Sequence, residues 1–344
     1  MFTLKKTDKQ QSILGLIPLF EVIEAQGKDP EELLRRRGLS LAKMSGAAVI
    51  DQSLELDIVS EAIEMLDDPI LGIKVGNQVT FTSYGTYAML LMSAPTFLDT
   101  LKVAVQFQSL SLLFSHVTLH FEKDFIELRY TLPEAKPKLK QFIADRDLMG
   151  SYIFIREMID NPKKYFMEAG TARPKPSGRT LSAYQQYIDF DLKFDQAYNW
   201  IRLPRAILKL KQKYGNHLAH QLYRVQAYEL LRKFYPEAED VVAQTKQIIE
   251  GYESHYPTVP EVANMFGVSE RTYRRKLDEA KTSYRAILDE HKRNRCLDML
   301  SQTQIPVNEL ADVLGYAESA SFLRAFKRWT GTTPKRYKSS TLQR

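Results

Sequence analysis

Guanidinium groups carry the clearest chemistry in this sequence. Arg271, Arg274 and Arg275 lie in one short charged stretch and Arg324 in another. Arginines gathered along helix faces of a basic stretch point to nucleic acid as a partner. At about 100° per residue from Tyr273, Leu277 falls at about 40° and Ala280 at about 340°, on a core side, while Arg271, Arg275 and Asp278 fall at about 160°, 200° and 140°. From Phe322 the same construction puts Phe326 and Trp329 on the core side and Ala320, Arg324 and Lys327 at those same outward angles. The two wheels superpose, with an arginine at one shared outward angle.

Other constellations say less. His217-x-x-His220 has a metal-binding spacing on a helix, but no acid or cysteine stands near to complete a site, which leaves a surface histidine pair. His116 and His120 share a strand face about 13 Å apart, too far to share an ion. Asp189 and Asp191 read as solvated carboxylates, and His291 and Cys296 as packed side chains of a helix. Neither a Gly-x-Gly-x-x-Gly fingerprint nor a P-loop occurs, so no cofactor, metal or catalytic residue is expected.

The two arginine faces sit inside an internal repeat. Val262-Ala-Asn-Met-Phe-Gly267 matches Leu310-Ala-Asp-Val-Leu-Gly315 position by position. Thr258 and Glu261 form a capping box ahead of the first copy, and Pro306 suits a first helical position ahead of the second. Each glycine closes a short helix, and a second helix opens at Ser269 or near Ser319, which is the outline of a helix-turn-helix. A single helix from Tyr284 to Leu300 joins the copies. Its length of about 25 Å suits a strut that holds two recognition helices about one duplex turn, ~34 Å, apart.

The rest of the chain mixes helix and strand. Helices are predicted over Ser12–Gln26, Leu54–Leu66, Leu139–Ile159, His217–Phe234 and Ala238–Tyr252, with one through Tyr87–Leu113 broken at Ala94-Pro95. Alternation in Val117–Phe121 and Ile126–Leu132 predicts a hairpin. Lys164–Ala169 and Asp189–Leu203 are strand candidates, and Arg173–Gly178 reads as an exposed loop. The expected architecture is an α+β domain over residues 1–234, followed by an all-α domain over 235–344 with two helix-turn-helix units and a central helix. Tyr235-Pro236 is the expected hinge.

At 344 residues, 44% hydrophobic and 26% charged, the chain has room for two cores and the composition of a globular protein. Net charge is +6, of which +5 lies from Glu253 onward, an electrostatic footprint for nucleic acid. One cysteine excludes a disulfide framework. No window reaches the roughly 18 apolar residues of a membrane helix, so a cytoplasmic protein without a membrane partner is expected.

Glu309 through Tyr337, with Ala311-Asp-Val-Leu-Gly315 and Phe326-Lys-Arg-Trp-Thr-Gly-Thr-Thr-Pro334, closely resembles the signature of the AraC family of bacterial transcription regulators. Val262–Leu277 resembles that family's first helix-turn-helix, and the likeness spans about Ala238 to Lys338. It implies seven helices and a DNA-contacting set of Ser269, Arg271, Thr272, Arg274, Arg275, Ala320, Ser321, Arg324, Lys327, Thr333 and Lys335. Thr333-Pro334 resembles the start of the final helix, whose amino end would face a phosphate. One departure is Ala280-Lys281, where the family has glycine, so this helix is expected to end differently.

The first domain resembles the long α/β effector domain of one branch of the family, through Gly85–Leu110 and Asn199–Pro204. The likeness implies small-molecule sensing and dimerisation; no sugar signature is present. Tyr84, Tyr87, Met92 and Phe107 are the expected effector contacts. The implied partners are an operator duplex, a small organic effector, a second copy of the chain and RNA polymerase. A repair enzyme with this DNA-binding module would need a nucleophilic cysteine in the first domain, which is lacking there; binding without sequence preference is the other alternative.

Overall fold

The structure, a computed structural model, describes residues 10–43, 49–159, 165, 168–234, 240–252, 256–302, 307–316, 318–334 and 336–337. Two compact units are present, one formed by residues 2–117 with 122–237 and the other by 118–121 with 238–344. Residues 118–121, assigned from sequence to the first domain, thus group with the second unit. The expected hinge at Tyr235-Pro236, and Pro306 and Lys335, lie outside the described residues.

The first unit opens with β1 (Gln10–Ser12), α1 (Ile17–Ala25), α2 (Glu31–Arg35), β2 (Val49–Asp51) and α3 (Gln52–Leu66), with β1 and β2 pairing antiparallel. Then come α4 (Leu71–Asn77), α5 (Phe81–Met92) and α6 (Phe97–Gln106). The predicted break at Ala94-Pro95 is there, and Thr96 caps α6 by accepting the Asp99 N–H at 3.2 Å. Next along the chain are β3 (His116–Phe121), whose residues 118–121 group with the second unit, β4 (Phe125–Thr131), α7 (Pro137–Met158), β5 (Glu168–Gly170), α8 (Gly178–Tyr187), β6 (Asp191–Lys193), β7 (Asn199–Pro204) and α9 (His217–Phe234). The predicted strand over Asp189–Leu203 is two strands, because the chain turns at Asp195, whose φ is 57°.

The five-stranded sheet runs β3-β4-β7-β5-β6, antiparallel at β4–β7 and β5–β7 and parallel at β5–β6. The register sets Ile126 opposite Leu203 and Leu128 opposite Ile201, an apolar face. The opposite face pairs Glu127 with Arg202 and Arg129 with Trp200. Beside the sheet, α4 crosses α7 so closely that a Cβ on Gly72 would stand 2.5 Å from the Phe142 carbonyl, and one on Gly76 2.7 Å from that of Arg146. Hydrogen at both positions admits the crossing, around which the apolar side chains of α1, α3 and α7 assemble.

From residue 241 the elements among the described residues of the second unit are all helices: α10 (Val241–Glu250), α11 (Val259–Met265), α12 (Glu270–Glu279), α13 (Tyr284–Gln302), α14 (Val307–Val313) and α15 (Ser319–Thr330), with a last turn starting at Pro334. The fold class read from the sequence is the fold observed.

Candidate nucleic-acid interface

Each helix-turn-helix is set by its caps. Thr258 closes the predicted capping box, its N–H and hydroxyl donating to the Glu261 carboxylate at 2.8 and 2.9 Å. α11 ends with Val268 N–H donating to Ala263 O (3.1 Å) and Gly267 N–H to Asn264 O (2.9 Å). α14 ends identically, with Tyr316 N–H on Ala311 O and Gly315 N–H on Asp312 O, both 2.9 Å. This paired closure needs a left-handed residue, and Gly267 and Gly315 supply φ values of 66° and 67°. The repeat in the sequence is therefore a repeat of turn geometry.

The recognition helices follow. Ser269 caps α12, its hydroxyl accepting the Thr272 N–H at 3.2 Å. Tyr273 and Leu277 are fully buried, and the Tyr273 hydroxyl meets Thr245 Oγ1 at 2.9 Å. Arg271, Arg274, Arg275 and Asp278 are exposed on the other side. Two of these arginines are held along the helix: Arg274 by Glu270 and Arg275 by Glu279, each at 2.7 Å. Arg271 has no ion pair among the described residues. Ala280, expected on the core side, is the exposed C-cap, because the helix ends there.

In α15, Phe322 and Phe326 are fully buried over Leu310, Ala311 and Leu314. Ala320, Arg324 and Lys327 face out, and Arg324 donates to Ser321 Oγ at 3.0 Å. Leu323 is also exposed, at 43%, and the charge-led wheel passed over it. Thr333 is exposed just before the last turn; its carbonyl accepts the Tyr337 N–H at 2.9 Å and its hydroxyl the Arg336 N–H at 3.5 Å. Gly331, with φ of 74°, closes α15.

Between the two, α13 is tied in on several sides. Arg328 of α15 reaches Asp289 at 2.6 Å, and Lys246 of α10 reaches Glu290 at 2.9 Å. Lys292 is buried, with Nζ 4.2 Å from the Tyr316 ring, 4.9 Å from the Tyr256 ring and 3.3 Å from the Gly315 carbonyl. Burial holds its ammonium down at a pKa of about 8. Sequence reading missed this residue. Cys296 is buried and its thiol is pushed up to about 12 by burial, a packed cysteine as expected.

The other sequence candidates are placed in the first unit. His220 is buried rather than on the surface, its Nδ1 lying 3.2 Å from the Leu90 carbonyl and 3.4 Å from Ser93 Oγ, and burial lowers its pKa. Its expected surface pairing with His217 fails because this side of α9 packs on α5. Asp189 accepts a hydrogen bond from Tyr152, and Asp191 lies 3.8 Å from Lys193. In the Arg173–Gly178 loop, Arg173 is turned inward onto buried Asp145 at 2.5 Å and onto Tyr184. Tyr84, Tyr87 and Phe107 share one aromatic cluster with Phe154 and Tyr228, in which Gln106 donates to the Tyr228 hydroxyl at 2.6 Å. Met92 is half-buried and stands outside that cluster. Among the described residues no group of three or more His, Cys, Asp or Glu could hold a metal, and no helix is long and apolar enough to cross a membrane.

Two capped helix-turn-helix units on one helical scaffold, preceded by an α/β unit, define a DNA-binding regulator with an effector-type domain. Residues 27–212 match the family described as the arabinose-binding domain of AraC transcription regulator, and residues 262–340 match a helix-turn-helix domain. The chain belongs to the AraC family of transcription regulators. It is similar to an HTH-type transcriptional regulator of Mycobacterium tuberculosis, 24% identical with 93% of each chain covered. It is also similar to the ornithine utilization regulator of Pseudomonas aeruginosa, 23% identical with 79% of each covered. Among solved structures, the transcriptional regulator CdpR from Pseudomonas aeruginosa shares the fold at a TM-score of 0.52 and 20% identity, covering 96% of this chain and 99% of that one.

Proposed function

We propose that one chain sets α12 and α15 into successive major-groove segments of an operator and that a small organic effector bound by the first unit regulates this binding. The observation that carries the reading is the pair of matched outward faces, each built on the same turn geometry. Arg271, Arg275 and Arg324 reach guanine edges, while Ser269, Thr272, Arg274, Ala320, Ser321, Lys327, Thr333 and Lys335 complete the contact surface to bases and phosphates. The effector is apolar or aromatic and is held among Tyr84, Tyr87 and Phe107, with the Gln106–Tyr228 pair as its polar contact. Met92 belongs to this contact set only at its margin. The first unit senses rather than catalyses, which fits the inward pairing of its buried acids: Asp147 takes the Ser115 and Phe114 N–H groups at 2.8 and 3.1 Å and Arg146 at 2.8 Å. The chain works as a cytoplasmic homodimer with RNA polymerase as its downstream partner.

The test compares selected operator with scrambled duplex. Arg271→Ala and Arg324→Ala are each expected to weaken operator binding by about 1–3 kcal/mol while changing scrambled-duplex binding much less. Equal losses on both duplexes would assign these arginines to phosphate alone.

A further inference from the structure

Leu323 is the odd residue of the second recognition face. It stands on α15 between Ala320 and Lys327, immediately before Arg324, and 43% of it is open to solvent. The apolar cluster under the helix is made by Phe322 and Phe326 with Leu310, Ala311 and Leu314, and Leu323 is not part of it. At the matching place on α12 stands Arg274, which is occupied by Glu270 at 2.7 Å. The two faces thus differ in kind: one is charged, with two of its three arginines paired along the helix, while the other sets an exposed leucine and an alanine beside its arginine.

An apolar side chain on the outward face of a groove-entering helix meets few apolar groups there. The edge of the major groove is lined with hydrogen-bond donors and acceptors, apart from the C5-methyl of thymine. Contact with a backbone phosphate would leave the leucine beside charge, with nothing gained. We infer that Leu323 reads a thymine methyl group next to the guanine taken by Arg324, so that the second half of the operator is selected for a thymine beside that guanine. Ala320, one turn earlier on the same face, is small enough to let the helix backbone approach. This inference rests on α15 entering the groove, and it adds a base preference and a specificity-determining residue to that reading. The recognised group is a C5-methyl, so 5-methylcytosine carries it as well.

The experiment uses the full chain and duplexes it selects from a random pool. Each thymine under the second half-site is replaced in turn by deoxyuridine, which removes the methyl and keeps every hydrogen bond. Wild type is expected to lose about three- to tenfold in affinity at one or two positions. Leu323→Ser should bind the thymine and uracil duplexes alike, near the wild-type level on uracil. With a cytosine at that place, 5-methylation should recover part of the wild-type loss and none in Leu323→Ser. Because Leu323 lies on the surface, the variant's melting temperature checks that folding is intact. Indifference of wild type to every uracil, or methyl sensing that survives in Leu323→Ser, overturns the inference. If Arg324→Ala still weakens operator binding in that case, groove entry stands and only the thymine contact fails; if it does not, both fall. Unchanged methyl sensing with lost transcription in a purified system would assign Leu323 to RNA polymerase instead.

Discussion

Lys281 shows how one residue can carry a conformation that its side chain disfavours. The sequence has no glycine after α12, and a different helix end was the expectation. The structure keeps the same end: Thr282 N–H donates to Leu277 O at 3.0 Å and Lys281 N–H to Asp278 O at 2.8 Å, with Lys281 at φ of 56°. The bond pattern is that of Gly267 and Gly315, so the turn into α13 overrides the local preference. A left-handed non-glycine residue costs about 1–2 kcal/mol, and glycine gives back about half in chain entropy. Lys281→Gly is therefore expected to stabilise the protein by about 0.5–1 kcal/mol, seen as a higher urea midpoint at unchanged slope. A midpoint that stays or falls would mean that the lysine is not strained. The outward arginines were legible in the sequence because helical period alone sets their side. The burial of His220 was not, because α9 is apolar on two faces and the period cannot choose between them.

Among the elements, α13 holds more than a length. The sequence shows it as a charged strut in which Lys292 is one cation among several. What buries Lys292 is Tyr256 and Tyr316, which come from before and after the helix and meet only in the fold. Local pattern could place the two turns and their helices, since caps and glycines are written within a few residues, but not a contact made across the whole domain. Burial lowers the folded pKa to about 8, against about 10.4 for an unfolded lysine. Below pH 8 both states hold the proton and the burial penalty is constant. Between about pH 8 and 10 the unfolded state binds more protons, so this group makes stability rise with pH, by at most about 1.4 kcal/mol per unit. Wild type is thus expected to gain stability relative to Lys292→Met as pH is raised from 8 to 10, read as the difference in urea midpoints. Parallel pH curves would show an ammonium that is not buried in solution.

At the scale of the whole molecule, α9 carries an uncovered apolar face among the described residues. One side, with His220, Ala227 and Leu231, is buried against α5. The opposite side carries Leu218, Leu222 and Val225, exposed at 66%, 58% and 58%, in a three-four spacing that makes a helix-pairing seam. Tyr214 extends the patch at one end beside Lys213, and Glu229 lies one turn beyond Val225 at the other. Those ends are charge-complementary only when two such helices run antiparallel about a twofold axis. Leu218 then faces Val225 of the partner subunit, and Glu229 comes beside Lys213 of the partner subunit. The homodimer proposed above is expected to use this face, because the patch complements itself. Leu222→Arg puts two guanidinium groups together at the axis and should turn the dimer into a monomer by sedimentation, with stability changed by less than about 0.5 kcal/mol, since the site is exposed. Glu229→Lys should weaken the dimer and Lys213→Glu in the same chain should restore it, because the swapped pair attracts again. Failure of the double variant to recover would rule out the antiparallel arrangement, and a wild-type chain that sediments as a monomer at every concentration would remove the dimer itself. With the dimer intact, four recognition helices act together, so Leu222→Arg should also bind a single operator copy as wild type does while losing its preference for two copies in one duplex.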